Sequence, residues 1–64
     1  MIKVTNINGV PYYLNSEHIE TIETIPDTLI TLRDGKKQYV RETPEEVVQK
    51  IIEYKKRIFV DNIE

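Results

Sequence analysis

The sequence of 64 residues contains no cysteine or tryptophan, one serine, one histidine and two glycines. The absence of cysteine excludes disulfide bonds and the commonest zinc ligands. The single serine, Ser16, lies close in sequence to the single histidine, His18, and no third residue completes a nucleophilic triad. A lone imidazole among scattered carboxylates matches no metal-ligand spacing. We therefore expect no enzymatic activity, no cofactor and no metal site.

Long apolar runs are also absent. No stretch approaches the ~20 apolar residues that a membrane-spanning helix needs, and the opening MIKVTNI alternates between apolar and polar residues, unlike the apolar core of a signal peptide. Without cysteine and without an export signal, we expect a protein of the cytoplasm that has no membrane span.

The length of the chain allows one domain, residues 1–64, with a small core. Small domains usually need disulfides, a metal or oligomerisation to be stable. Because the sequence offers neither of the first two, self-association or docking on another protein is the expected remedy. We expect a homo-oligomer.

A net charge of −2 argues against a dedicated nucleic-acid-binding protein, whose affinity comes largely from neutralising phosphates. Four basic residues nevertheless surround a predicted hairpin that also contains Tyr39, namely Arg33, Lys36, Lys37 and Arg41. Such a ribbon could stack and bind bases, so a small nucleic-acid-binding regulator is the alternative function. Lysines at a hairpin tip also keep a protein soluble and block edge pairing.

Five short segments have the composition and alternation of β-strands, over residues 2–7, 10–14, 19–25, 28–33 and 36–41. Asn8-Gly9 and Asp34-Gly35 are strong hairpin-turn signals. Isoleucines spaced by three residues in the third segment fit neither strict strand nor full helix periodicity. They predict a strand with an irregularity at one end.

A helix is predicted over about residues 44–59, and residues 60–64 are expected to fray. Its start carries a capping box, with Thr43 as the N-cap, Pro44 at the first helical position and Glu46 reaching back to the N-cap amide. Its apolar residues cover an arc of about 160°. Lys55 falls within this arc, so either its side chain reaches past the edge of the sheet or the helix outruns its support.

These elements predict a mainly β, α+β fold, in which one amphipathic C-terminal helix follows the strands within residues 2–42. Five antiparallel strands with hairpin links favour a single bent sheet or a small half-open barrel, closed on one face or end by the helix.

Side chains alternate between the two faces of a strand, and three of them fall on the face opposite to the predicted core residues. They are Tyr13, Leu29 and Tyr39. If the alternation holds, they form an exposed, aromatic-rich patch, and tyrosine is favoured at protein interfaces. Ile58 and Phe59 on the helix would extend it. The alternative is that the sheet curves enough to bury both faces, or that the helix covers this one.

Four segments carry a family resemblance when taken in order, namely MIKVTNING, LN...IETIE, PDTLITLRDGKKQYV and EEVVQKIIEYK. Over about residues 1–57, the chain resembles the small flagellar protein family FlbD, also called SwrD. The resemblance implies a cytoplasmic bacterial protein of flagellar motility or swarming, and it brings no catalytic residues to carry over. We therefore expect a non-enzymatic accessory protein that contacts flagellar motor or assembly proteins, or copies of itself.

Overall fold

A computed structural model describes the backbone of residues 1–63 and the side chains of residues 1–58. The elements follow in the order β1 (Ile2–Thr5), β2 (Pro11–Leu14), a 3-10 turn (Ser16–His18), β3 (Ile19–Glu23), β4 (Thr28–Leu32), β5 (Lys37–Val40) and α1 (Pro44–Ile63). The helix thus continues beyond residue 59, where the sequence predicted its end. Within the described backbone, no helix has both the length and the apolar character to cross a membrane.

Both predicted hairpin turns are present. Gly9 lies between β1 and β2 with φ of 85°, and Gly35 lies between β4 and β5 with φ of 89°. These are left-handed conformations that glycine adopts without steric cost. The prediction of antiparallel hairpins linked by Asn-Gly and Asp-Gly turns is confirmed.

The five strands form two antiparallel sheets, and the prediction of one five-stranded sheet or a half-open barrel is wrong. β1 pairs with β2, while β3, β4 and β5 form the second sheet in that order. A single bridge between Asn6 and Val40 links them, next to a hydrogen bond of 2.9 Å from the Arg41 amide to the Thr5 carbonyl. The ladder stops there because the Thr5 amide donates to the Glu42 side chain.

The predicted irregularity in the third strand is a shift of register between Ile19 and Thr21, where β3 pairs with β4. The extra residue, Glu20, is exposed. β3 is an edge strand of its sheet, and bulges and charges on edge strands discourage pairing with another chain.

The core lies between the inner faces of both sheets and the first half of α1. It consists of Ile2, Val4, Leu14, Ile30, Leu32, Val40 and Val47. Ile51 and Tyr54 pack against it from the helix.

The predicted capping box sets where α1 begins. The Thr43 amide donates to Glu46 Oε1 at 2.8 Å, and the Glu46 amide donates to Thr43 Oγ1 at 3.1 Å. Each residue thereby satisfies an amide that has no partner within the helix.

Candidate protein-contact surface

Tyr13 borders a shallow groove between the β1–β2 hairpin and the helix. The groove has a volume of about 200 Å³. We call it the Tyr13 groove, and its polar and aromatic lining is Lys3, Tyr13, Lys50, Glu53, Tyr54 and Arg57. Strand pairing places Tyr13 directly opposite Lys3, while helical periodicity brings the other four residues to the same side of α1.

The Tyr13 groove is positively charged although the chain has a net charge of −2. Lys3, Lys50 and Arg57 line it together with one acidic side chain, Glu53, and Lys50 also lies close enough for its charge to act on the Glu42 carboxylate. None of the three forms an ion pair within the described residues. Because Glu46 caps the helix, its carboxylate is directed to Thr43 and not to Lys50 one turn later. The groove therefore suits an acidic partner.

Tyr13 is the most exposed large apolar side chain of the described chain, at 67%. Ile58, one helical turn beyond Tyr54, is 39% exposed. Of these two predicted contact residues, Tyr13 lines the groove and Ile58 does not. The side chain of Phe59, the third residue predicted for this region, lies outside the described residues.

Leu29 is only 3% exposed, so the expectation that it lies on an open face is wrong. It occupies the central strand β4, where Glu23 of β3 and Tyr39 of β5 stand opposite it on either side. Neighbours on both sides shield a central strand far more than an edge strand. Tyr39 is 42% exposed. Tyr39 belongs to the three-stranded sheet and Tyr13 to the two-stranded sheet, so a single patch that contains both tyrosines stays a prediction.

The four basic residues predicted around the β4–β5 hairpin do not form one cluster. Arg33, Lys36 and Lys37 are exposed at the hairpin, and Lys36 lies 4.0 Å from the carboxylate of Asp34. Arg41 follows the opposite end of β5, about 13 Å from Lys37 along an extended chain. Its Nη2 donates to the Ile7 carbonyl at 2.8 Å, so Arg41 is engaged with the β1–β2 turn.

Ser16 and His18 are the first and last residues of the 3-10 turn, and they do not form a nucleophile–base pair. Ser16 Oγ is buried and has no hydrogen-bond partner in the described chain, whereas His18 is exposed. No group of three or more histidine or acidic side chains that could hold a metal ion occurs among the described residues.

Glu42, in the connection between β5 and α1, joins the two sheets. Its carboxylate accepts hydrogen bonds of 2.9 Å from the amide and the hydroxyl of Thr5. Burial acts to raise the pKa of Glu42, but the hydrogen bonds from Thr5 and from its own amide, together with the charge of Lys50, hold that pKa below its usual value. Glu42 is thus favoured as a carboxylate.

Tyr12 connects the sheets a second time, since its hydroxyl donates to Gln38 Oε1. Burial, and to a lesser extent the nearby Glu42 carboxylate, raise the pKa of Tyr12. Sequence reasoning missed both connections. Their partners lie 26 to 37 residues apart, and neither pair belongs to a local motif that could have revealed it.

No curated protein and no solved structure matches the chain. A family model described as FlbD, flagellar and swarming motility proteins, matches residues 1–59. Since this match covers nearly all of the 64 residues, the chain belongs to the FlbD family of flagellar and swarming motility proteins.

Proposed function

We propose that this protein is a non-enzymatic accessory factor of flagellar motility that acts in the cytoplasm by binding other proteins. Its partners are components of the flagellar motor or assembly machinery, or copies of itself. Membership of the FlbD family supports the association with motility. The surface of the molecule supports binding as the mode of action.

The exposure of Tyr13 within a basic groove is the observation that carries this proposal. Leaving the apolar ring of an aromatic side chain in water is unfavourable in free energy, and tyrosine is enriched at protein–protein interfaces. The unpaired cations around it draw in acidic side chains and fix their orientation. We propose that the Tyr13 groove binds an acidic segment of a partner protein, with Ile58 and Phe59 extending the contact along the helix.

The residues with catalytic potential support the non-enzymatic part of the proposal. The Ser16 hydroxyl has no base to activate it in the described chain, and nucleophilic catalysis needs a positioned base or a lowered pKa. The Tyr13 groove, at about 200 Å³, is smaller than the ~300 Å³ or more typical of small-molecule sites. A hollow of about 350 Å³ beside His18 reaches that size, but no serine, threonine, cysteine or lysine is among the residues that line it. A protein segment needs no enclosed pocket.

The proposal can be tested in motile cells with a tagged chain and two matched double variants. The groove variant combines Tyr13→Ala with Arg57→Glu. The control combines Tyr39→Ala with Lys37→Glu, which changes an exposed tyrosine and an exposed basic residue on the other sheet. Copurified proteins are identified by mass spectrometry, and swarming is measured in a strain without the chromosomal gene.

We expect the groove variant to fold, to lose its copurified partner and to reduce swarming severalfold, while the control behaves as wild type. The captured partner should also dissociate as salt is raised, because exposed charges are screened. Normal swarming and normal partner capture by the groove variant would show that the Tyr13 groove is not the binding surface. Loss in the control alone would move the site to the Tyr39 face.

A further inference from the structure

Helix α1 carries two parallel stripes of side chains with the alternating three- and four-residue spacing of helices that pack on each other. The inner stripe is Val47, Ile51, Tyr54 and Ile58. Val47 is fully buried, and Ile51 and Tyr54 pack against the core. The protein's own fold therefore uses this stripe over its first three positions.

The outer stripe lies one residue further along and consists of Glu45, Val48, Ile52 and Lys55. A shift of one residue turns it by about 100° around the helix, away from the core. Val48 is 45% exposed and Ile52 is 41% exposed. Val48 and Ile52 thus form an exposed apolar pair with the spacing of helices that pack on each other. One charged residue flanks the pair at each end, Glu45 before it and Lys55 after it.

An open groove adjoins the first half of the outer stripe. It is lined by Ile22, Pro44, Glu45 and Val48, with a volume of about 290 Å³. Its walls are mainly apolar, and Glu45 provides an acidic group at its rim. A side chain that fills this groove should be apolar and should have a cation near it.

The outer stripe itself supplies such a side chain and such a cation in Ile52 and Lys55. We propose that the outer stripe packs antiparallel against the outer stripe of a second copy of this chain, forming a two-fold symmetric dimer. Val48 of each copy then faces Ile52 of the other, and Glu45 of each copy faces Lys55 of the other. Ile52 of the second copy enters the groove beside Val48.

Charge selects this direction of pairing. In the antiparallel dimer both Glu45–Lys55 contacts join opposite charges, and the two-fold symmetry forms the contact twice. Parallel helices would instead place like residues together, so that Glu45 meets Glu45 and Lys55 meets Lys55. Such like-charge contacts disfavour a partner or an orientation.

The contact that Lys55 makes within its own chain does not prevent this. Its Nζ lies 3.9 Å from Glu17 Oε2, and both side chains are more than half exposed. Exposed ion pairs contribute little to stability. Lys55 can therefore exchange Glu17 for Glu45 of the second copy at small cost.

One helix flank per copy is a small interface. Stable complexes bury about 1,200 Å² or more in total, so we expect a weak dimer whose population rises with protein concentration. This inference deepens the proposed function, because it names a second copy as one of the partners. It depends on the outer stripe and not on the Tyr13 groove.

Sedimentation equilibrium of the purified full chain tests the apolar part of the interface. Wild type should show a monomer–dimer equilibrium, and Ile52→Glu should weaken it about a hundredfold or more, because each dimer contains the substitution twice. Ile7→Glu is the matched control, since Ile7 is an exposed isoleucine on the β1–β2 turn. Circular dichroism confirms that each variant is folded.

Charge reversal tests the direction of pairing. Glu45→Lys alone and Lys55→Glu alone should each weaken the dimer about tenfold, because two contacts per dimer become repulsive. An equimolar mixture of the two single variants should restore association, since all its 45–55 contacts then join opposite charges. The double variant should also dimerise as wild type does.

Three results would overturn the inference. They are a wild type that stays monomeric at millimolar concentration, an Ile52→Glu variant that dimerises normally, and single charge variants that their mixture does not rescue. Each can occur while the groove variant still loses partner capture and swarming, so failure of the dimer is distinguishable from failure of the proposed function.

Discussion

Glu42 binds Thr5 through both oxygens of its carboxylate, one to the Thr5 amide and one to the Thr5 hydroxyl, each at 2.9 Å. Glu42 lies between β5 and α1, whereas Thr5 ends β1. The hydroxyl of the fully buried Thr28 in β4 donates to the backbone carbonyl of Glu42. Both sheets and the approach to the helix thus meet at one residue.

Replacing Glu42 by alanine should lower the free energy of unfolding by about 2 kcal/mol, because the Thr5 amide and hydroxyl lose a charged acceptor. Urea unfolding monitored by circular dichroism measures the change. Glu20→Ala is the matched control, since Glu20 is an exposed glutamate on the bulge of β3 and should change stability by less than about 0.5 kcal/mol. Equal effects of both substitutions would contradict the role of Glu42.

The same carboxylate should make stability depend on acid pH. The pKa of Glu42 is lower in the folded chain than its usual value, which is about 4.3 for an unfolded glutamate. Its ionised form therefore stabilises the fold above that pH, and this contribution is lost as pH falls through the lower, folded pKa. The stability difference between wild type and Glu42→Gln should therefore shrink as the pH falls from about 6 to about 2.5. A difference that does not change with pH would contradict the assignment.

Sequence alone predicted the features whose causes are local. The Asn-Gly and Asp-Gly turns place glycine where φ is positive, and Thr43 and Glu46 are close enough in sequence to form the capping box by themselves. The irregularity of β3 followed from the spacing of its isoleucines. In each case a few neighbouring residues determine the conformation, so no knowledge of the tertiary structure was needed.

Features that depend on distant partners could not be predicted. Hairpin signals show which consecutive strands pair with each other. They do not show that the Glu42 carboxylate accepts the hydrogen bond of the Thr5 amide and so ends the ladder between the sheets. Strand parity correctly placed Leu29 opposite to Ile30 on β4, but it does not show that both neighbours in the sheet shield Leu29. The Tyr13 groove likewise requires the position of the helix against β1 and β2.

Leu29 should matter for stability more than Tyr39 does, although both were expected on one open face. Leu29→Ala removes buried methyl groups and should cost about 2–4 kcal/mol. Tyr39→Ala removes a side chain that is 42% exposed and should cost about 1 kcal/mol. Chemical unfolding of both variants measures the difference, and a Leu29→Ala variant as stable as wild type would show that this position is open to solvent.

Tyr12→Phe should remove the link between β2 and β5 without creating a cavity. The Gln38 side chain then loses the hydroxyl that donates to it, and the expected loss is about 1 kcal/mol. Tyr13→Phe is the control, because Tyr13 is adjacent in β2 but its side chain is largely exposed. The two variants should differ in their urea midpoints, and identical midpoints would mean that the Tyr12 hydroxyl contributes nothing to joining the sheets.

Arg41 should act as a structural residue, unlike the basic residues of the β4–β5 hairpin. Its guanidinium donates to the Ile7 carbonyl and lies 3.6–3.7 Å from where a Cβ on Gly9 would stand. Arg41→Ala should therefore destabilise the chain by about 1 kcal/mol, whereas Lys37→Ala should leave stability within about 0.5 kcal/mol.

Nucleic-acid binding through the β4–β5 hairpin would instead depend on the lysines of the hairpin. The affinity for nucleic acid would fall steeply with salt and would be lost in a Lys36→Glu, Lys37→Glu variant. Retention of that affinity in Arg41→Ala, together with its loss in the lysine variant, would favour the nucleic-acid function over protein binding.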